Sequence, residues 1–191
     1  MANNGDAMKT TDLPQLGIVM KVGPHSGMSL EQIVASKTEE ESRLGVHYWG
    51  YSGTLCQPPR VIDFMAYAVA LGQLVDLLLL ETKSDYGSSI GHVSEFSRDG
   101  KTYEPFAGPV QLQGAQFAFV ARDLTLVDQD LFLDDLVVVG GANDGRPLSQ
   151  HLRSRVNKAF VRRANHAVDG TRARLALKAR LVEPYVVWLR P

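Results

Sequence analysis

Among its 191 residues the chain has one cysteine, Cys56, so neither an intrachain disulfide nor a multi-cysteine zinc site is available to it. No apolar run approaches the ~18 residues of a membrane-crossing helix. The opening stretch, Met1 to Gln15, holds one lysine and no apolar core segment, unlike a secretory signal. Repeats at periods of about 20 to 50 residues are absent, and no low-complexity linker divides the chain. Walker-type Gly-Lys-Ser/Thr and the dinucleotide glycine fingerprint are both missing. The five histidines show no close ligand spacing. These absences point to a protein of a reducing cytoplasm, away from membranes, with no metal and no cofactor expected.

What is present describes a globular chain. Apolar residues make up 45% and charged residues 21%, too apolar for a disordered segment. A chain of this length buries roughly 70% of its unfolded surface. The expected organisation is a polar N-terminal tail, 1–15, followed by one α+β domain, 16–191.

Net charge is −1, but it is unevenly spread. From Arg146 to the end there are eleven basic and two acidic side chains, a formal +9; the first 145 residues hold nine basic and nineteen acidic, −10. Such asymmetry points to nucleic acid, a phosphorylated ligand, or an acidic surface of the same protein. Arg153, Arg155, Lys158, Arg172 and Arg174 are the expected members of one basic face.

Several elements can be read directly. Leu16 to Val22 is strand-like. Ser29 with Gln32 forms a capping box, and Met28 with Ile33 a hydrophobic staple, opening a helix that ends near Gly45. Its Glu39-Glu40-Glu41 run reads as a solvated face. Val46 to Tyr51 is β-prone, and Pro58-Pro59 start a second helix. That helix, Val61 to Leu71, is apolar nearly all round and is expected to be buried. Val75 to Leu80 reads as a central strand. Arg98-Asp99-Gly100-Lys101 marks a hairpin between Gly91–Ser97 and Thr102–Phe106. Val110 to Leu112, Gln116 to Arg122 and Leu136 to Val139 are further strands. Pro147 to Arg163 has the apolar spacing of a helix, and Thr171 to Val182 alternates as a strand with one basic face. The expected fold is α+β, with about three helices on a mostly antiparallel, curved and barrel-like sheet.

Chemistry concentrates in His47-Tyr48-Trp49-Gly50-Tyr51-Ser52-Gly53-Thr54-Leu55-Cys56. Aromatic faces suit a planar ring. The glycines allow close backbone approach, and Ser52 and Thr54 supply donors. The helix start that follows carries Arg60, a combination suited to an anion. His25 and Ser26 occupy a second loop before a helix. The expected function is therefore a binding module for an anionic, ring-containing ligand, with a nucleotide, cyclic nucleotide or nucleic acid first.

Two other readings compete. One is an enzyme hydrolysing a nucleotide or phosphodiester, with His47 or His25 as acid or base and Cys56 and Glu81 as further candidates. The other is a homo-oligomeric interaction module whose acidic and basic surfaces meet. For catalysis the signals are thin. Gly50-Tyr51-Ser52-Gly53-Thr54 misses the last glycine of a nucleophile elbow. Glu81-x-Lys83 matches only two residues of a metal-nuclease pattern. Cys56 before a helix start can be activated, although a lone cysteine is more often a small core residue. The aspartates from Asp123 to Asp135 lack the glycine and glutamate of a calcium loop.

Overall fold

A computed structural model describes residues 8–9, 12–24, 28–82, 90–153, 156–165 and 170–190. His25, Ser26, Lys83 and Arg155 lie outside these. The chain forms β1 (Leu16–Val22), α1 (Leu30–Leu44), β2 (His47–Tyr51), α2 (Pro58–Ala70), β3 (Val75–Glu81), β4 (Ile90–Ser97), β5 (Tyr103–Gln113), β6 (Phe117–Phe132), β7 (Leu136–Val138), α3 (Leu148–His151), β8 (Lys158–Arg163) and β9 (Arg172–Arg190). It divides into two compact units. The first holds Met1–Val22, Ala68–Thr82 and Thr125–Ala179; the second holds Gly23–Tyr67, Lys83–Leu124 and Arg180–Pro191.

In the first unit β1 runs parallel to β3, from Leu16↔Val75 to Val22↔Glu81. On its other edge β1 is antiparallel to β8, which in turn pairs with β7. β1 and β3 are buried almost throughout, which is why their sequences are unbroken apolar runs instead of alternating ones. The core gathers Val19, Leu78, Leu80, Leu131, Leu136, Leu148, Val161 and Leu175. Leu13 joins it, and the Met8 amide donates to the Asp130 carbonyl, so part of the polar leading segment is tied down.

In the second unit β2 pairs antiparallel with the start of β6, from His47↔Ala121 to Tyr51↔Phe117. The β4–β5 hairpin closes at Ser97↔Tyr103 around the expected Asp-Gly turn, and β4 also pairs with the end of β9. Tyr48, Val93, Phe96, Val110, Leu112, Val120 and Val187 form the core. α1 starts on the capping box read from sequence: the Gln32 amide donates to Ser29 Oγ, and the Ser29 amide to Gln32 Oε1. It stops at Gly45, whose φ of 75° suits the left-handed C-cap.

The α+β class holds, with three corrections to its details. Among the described residues the strands are mixed, because β1 and β3 are parallel, and they do not close into a barrel. The helix expected over Pro147 to Arg163 is four residues, α3, followed by strand β8. Leu148 and Leu152 fit a helical stripe, but beyond Lys158 the buried pair is Ala159 and Val161, a two-residue period. Finally, α2 is not buried on all sides: Ile62, Tyr67 and Val69, with Leu71 just beyond its end, are exposed.

Candidate functional site

β2 sends His47, Trp49 and Tyr51 to one face and Tyr48 to the other, as strand alternation requires. Tyr48 meets Phe106 edge-on at 5.0 Å, and burial, reinforced by Glu40, pushes its hydroxyl pKa up to about 12. Tyr51 stacks on Phe119 at 4.3 Å between ring centres. All three aromatic rings of the segment are buried, Tyr48 and Tyr51 at 8% and 6% exposure and Trp49 at 4%. This corrects the expectation that Tyr48, Trp49 and Tyr51 offer open faces to a planar ligand. Their faces are spent on the core.

The inner face holds polar groups that the sequence reading did not single out. Lys37 and Glu40 of α1 are both buried, with Lys37 Nζ 3.1 Å from Glu40 Oε2. Glu40 Oε1 also accepts from the Tyr48 amide at 2.6 Å. Among the described residues β2 pairs with one strand, β6, so the carboxylate caps a backbone donor that this pairing leaves open. Desolvation pushes the Lys37 pKa down and the Glu40 pKa up, each shift partly offset by the partner charge. Glu41, a quarter exposed, accepts from the Asp123 and Leu124 amides and lies 3.5 Å from His47 Nε2. The run Glu39-Glu40-Glu41 is therefore not one solvated face; only Glu39 is fully exposed.

His47 is fully buried, and its pKa falls to about 3, mainly from desolvation and secondarily from the Lys37 charge. It is neutral at pH 7, and both ring nitrogens lack a hydrogen-bond partner among the described residues, as does Trp49 Nε1. The His47 and Trp49 rings meet edge-on at 5.9 Å, and Lys37 Nζ lies 5.9 Å from the centre of the Trp49 ring. A neutral, enclosed imidazole is poorly placed as an acid or base for an external substrate.

The outer end of the segment differs. Ser52, Gly53 and Thr54 are exposed, and the loop is held from both ends. Ser52 Oγ donates to the Gly114 carbonyl and accepts from the Gln116 amide; the Tyr51 hydroxyl donates to the Cys56 carbonyl at 2.6 Å. Gly53 has φ 95°, a conformation that favours glycine. Cys56 is buried with a left-handed backbone, which suits a turn residue better than a nucleophile. α2 follows with an exposed Arg60 and no acidic residue in its first turn.

The remaining candidates are scattered. Glu81 is exposed at the end of β3, in the first unit. No group of three or more His, Cys, Asp or Glu suited to a metal occurs among the described residues. The basic face does not survive as a free surface. Arg172 and Arg174 pair with Asp130, Arg174 also with Asp128 at 2.6 Å, and Arg172 lies over the Phe132 ring. Lys158 is buried and donates to Asn157 Oδ1, while Arg153 is exposed. Arg172 and Arg174 thus meet acids of their own chain. No helix among the described residues is long and apolar enough to cross a membrane. Comparison with protein-family models, with curated proteins and with solved structures finds no match.

Proposed function

We propose that the protein is a binding module for an anionic ligand, with a nucleotide, a cyclic nucleotide or a short nucleic-acid strand as the first class to test. The observation that supports this best is the exposed Ser52-Gly53-Thr54 loop, pinned at both ends, directly before a 13-residue helix whose first turn carries Arg60 and no acid. The positive dipole end of the helix favours negative charge, and an acid in that turn would cancel part of the field. Pro58 and Pro59 have no amide N–H, and those of Arg60 and Val61 donate to the Gln57 carbonyl. The hydrogen bonds to the anion therefore come from the Ser52-Gly53-Thr54 loop and the Arg60 guanidinium. His47, Tyr48, Trp49 and Tyr51 act in this reading as the rigid base of the loop. Stacking on them is not required, so the anionic part of the ligand dominates recognition. The reading fits a cytoplasmic protein whose single thiol is buried.

A thermal-shift series with inorganic phosphate, nucleotides, cyclic nucleotides and short single strands tests it, because a ligand that binds only the folded state raises the melting temperature. At least one anion should stabilise the wild type. Arg60→Ala should weaken that ligand roughly ten- to hundred-fold, the worth of a charge-assisted contact. Absence of stabilisation by every anion at millimolar concentration would overturn the reading.

A further inference from the structure

Independently of ligand binding at the loop, we infer that one internal water molecule is built into the second unit, bridging the Trp49 indole and the His47 imidazole. Among the described residues, three buried side-chain nitrogens have no hydrogen-bond partner: His47 Nδ1, His47 Nε2 and Trp49 Nε1. All three belong to two side chains on the same face of β2, and the rings meet edge-on with centres 5.9 Å apart. His47 is 0% and Trp49 4% exposed, so bulk solvent does not reach these atoms. Leaving such groups unpaired is costly. Folded proteins satisfy them with internal water roughly once per 27 residues.

The inventory of donors and acceptors selects the occupant. Glu41 Oε2 lies 3.5 Å from His47 Nε2, short of a full hydrogen bond but near enough to favour a proton on that nitrogen. In the neutral ring Nδ1 is then an acceptor, while the Trp49 indole N–H can only donate. The two rings do not bond each other directly. A water satisfies both, because its oxygen accepts from the indole N–H and one of its hydrogens goes to Nδ1. The neighbouring charges disfavour an ion of either sign. Lys37 Nζ, 5.9 Å from the centre of the Trp49 ring, opposes a cation. Glu40, paired with Lys37, and Glu41, beside His47, oppose an anion. A larger neutral molecule finds neither ring open to solvent.

Proton NMR on the isotope-labelled full chain tests the inference. With selective excitation of water, the Trp49 indole proton should show a cross-peak of opposite sign in NOE and ROE spectra, the mark of a water held longer than the molecule tumbles. The Tyr51 hydroxyl, on the same face of β2, is the alternative source of such a signal, so Tyr51→Phe should keep the cross-peak. Long-range proton–nitrogen correlation at pH 7 should find His47 protonated at Nε2 and bare at Nδ1. A crystal structure should show one water within about 3 Å of both Trp49 Nε1 and His47 Nδ1. No cross-peak in the wild type would overturn the inference, as would its loss in Tyr51→Phe or a proton on Nδ1. A direct Trp49–His47 hydrogen bond in the crystal would do the same.

Discussion

The two long helices treat polarity in opposite ways. α1 is rich in charge and hides part of it: Lys37 and Glu40 are buried together, and Glu41 ties down two amides of β6. α2 is rich in apolar side chains and leaves much of that surface in water. Hydrophobic content alone therefore predicts the burial of neither. On α1 buried Glu40 and half-buried Glu41 accept from backbone amides of β2 and β6. On α2 Ile62, Tyr67 and Val69 are exposed beside Arg60 and Asp63. The same contrast holds within β2 and its loop, where an enclosed aromatic strand supports an open polar turn.

The most severe way to break the comparison is to remove one member of the buried pair. Glu40→Gln should cost about 3–5 kcal/mol in urea denaturation, because it breaks a buried ion pair. The double variant Lys37→Met/Glu40→Gln should recover a substantial part of that loss. A cost under 1 kcal/mol for Glu40→Gln would mean that the pair is in fact hydrated.

Acid titration probes the same region through His47. Its folded pKa of about 3 lies below the ordinary 6.5. Between those values the unfolded chain binds a proton that the folded chain does not, so stability falls as pH falls. The expected contribution is a loss of about 1.4 kcal/mol per pH unit from pH 6 toward pH 3. It should be absent in His47→Leu, whatever that variant's stability at pH 7. Equal slopes for the two proteins would place His47 in water.

Smaller effects belong to the helix ends. Ser29→Ala removes the hydroxyl that caps α1 and should cost about 1 kcal/mol. Gly45→Ala forces a side chain into the left-handed C-cap, for about 1 kcal/mol. Smallest of all, Val69→Glu on α2 should change the unfolding free energy by no more than about 0.5 kcal/mol under conditions where the chain is monomeric. A loss above 2 kcal/mol there would show that Val69 is covered within the monomer.

Much of the fold was legible where local signals agreed. The Ser29–Gln32 box, the Gly45 stop, the Asp99-Gly100 hairpin and the β1 and β3 apolar runs all appear where expected. The Arg172 to Arg180 alternation also forms the expected strand. The Pro147 to Arg163 segment failed because it carries two periods at once, with Leu148 and Leu152 at helical spacing and Ala159 and Val161 at strand spacing. Sheet pairing decided between them. Lys37 and Glu40 could have been found: with Ile33 and Leu44 they fall at four-, three- and four-residue steps on one helix face, the stripe that packs inward. For the ligand segment, alternation foretold that some rings face the core, but not that both faces of β2 are covered. That depends on α1 and on the β4–β5 hairpin, which are distant in sequence. Of the expected basic face, Arg172 and Arg174 lie against Asp128 and Asp130, a pairing that sequence charge alone does not reveal.

The central claim is that the segment works from its exposed loop and the start of α2, while its aromatic strand stays closed. Proton–nitrogen chemical-shift mapping during titration with the best-stabilising anion tests this most directly. The account predicts saturable shifts at the amides of Ser52, Gly53, Thr54 and Arg60, with the Trp49 indole N–H unmoved. Shifts confined to the Trp49 indole and His47, with the loop amides unchanged, would contradict it.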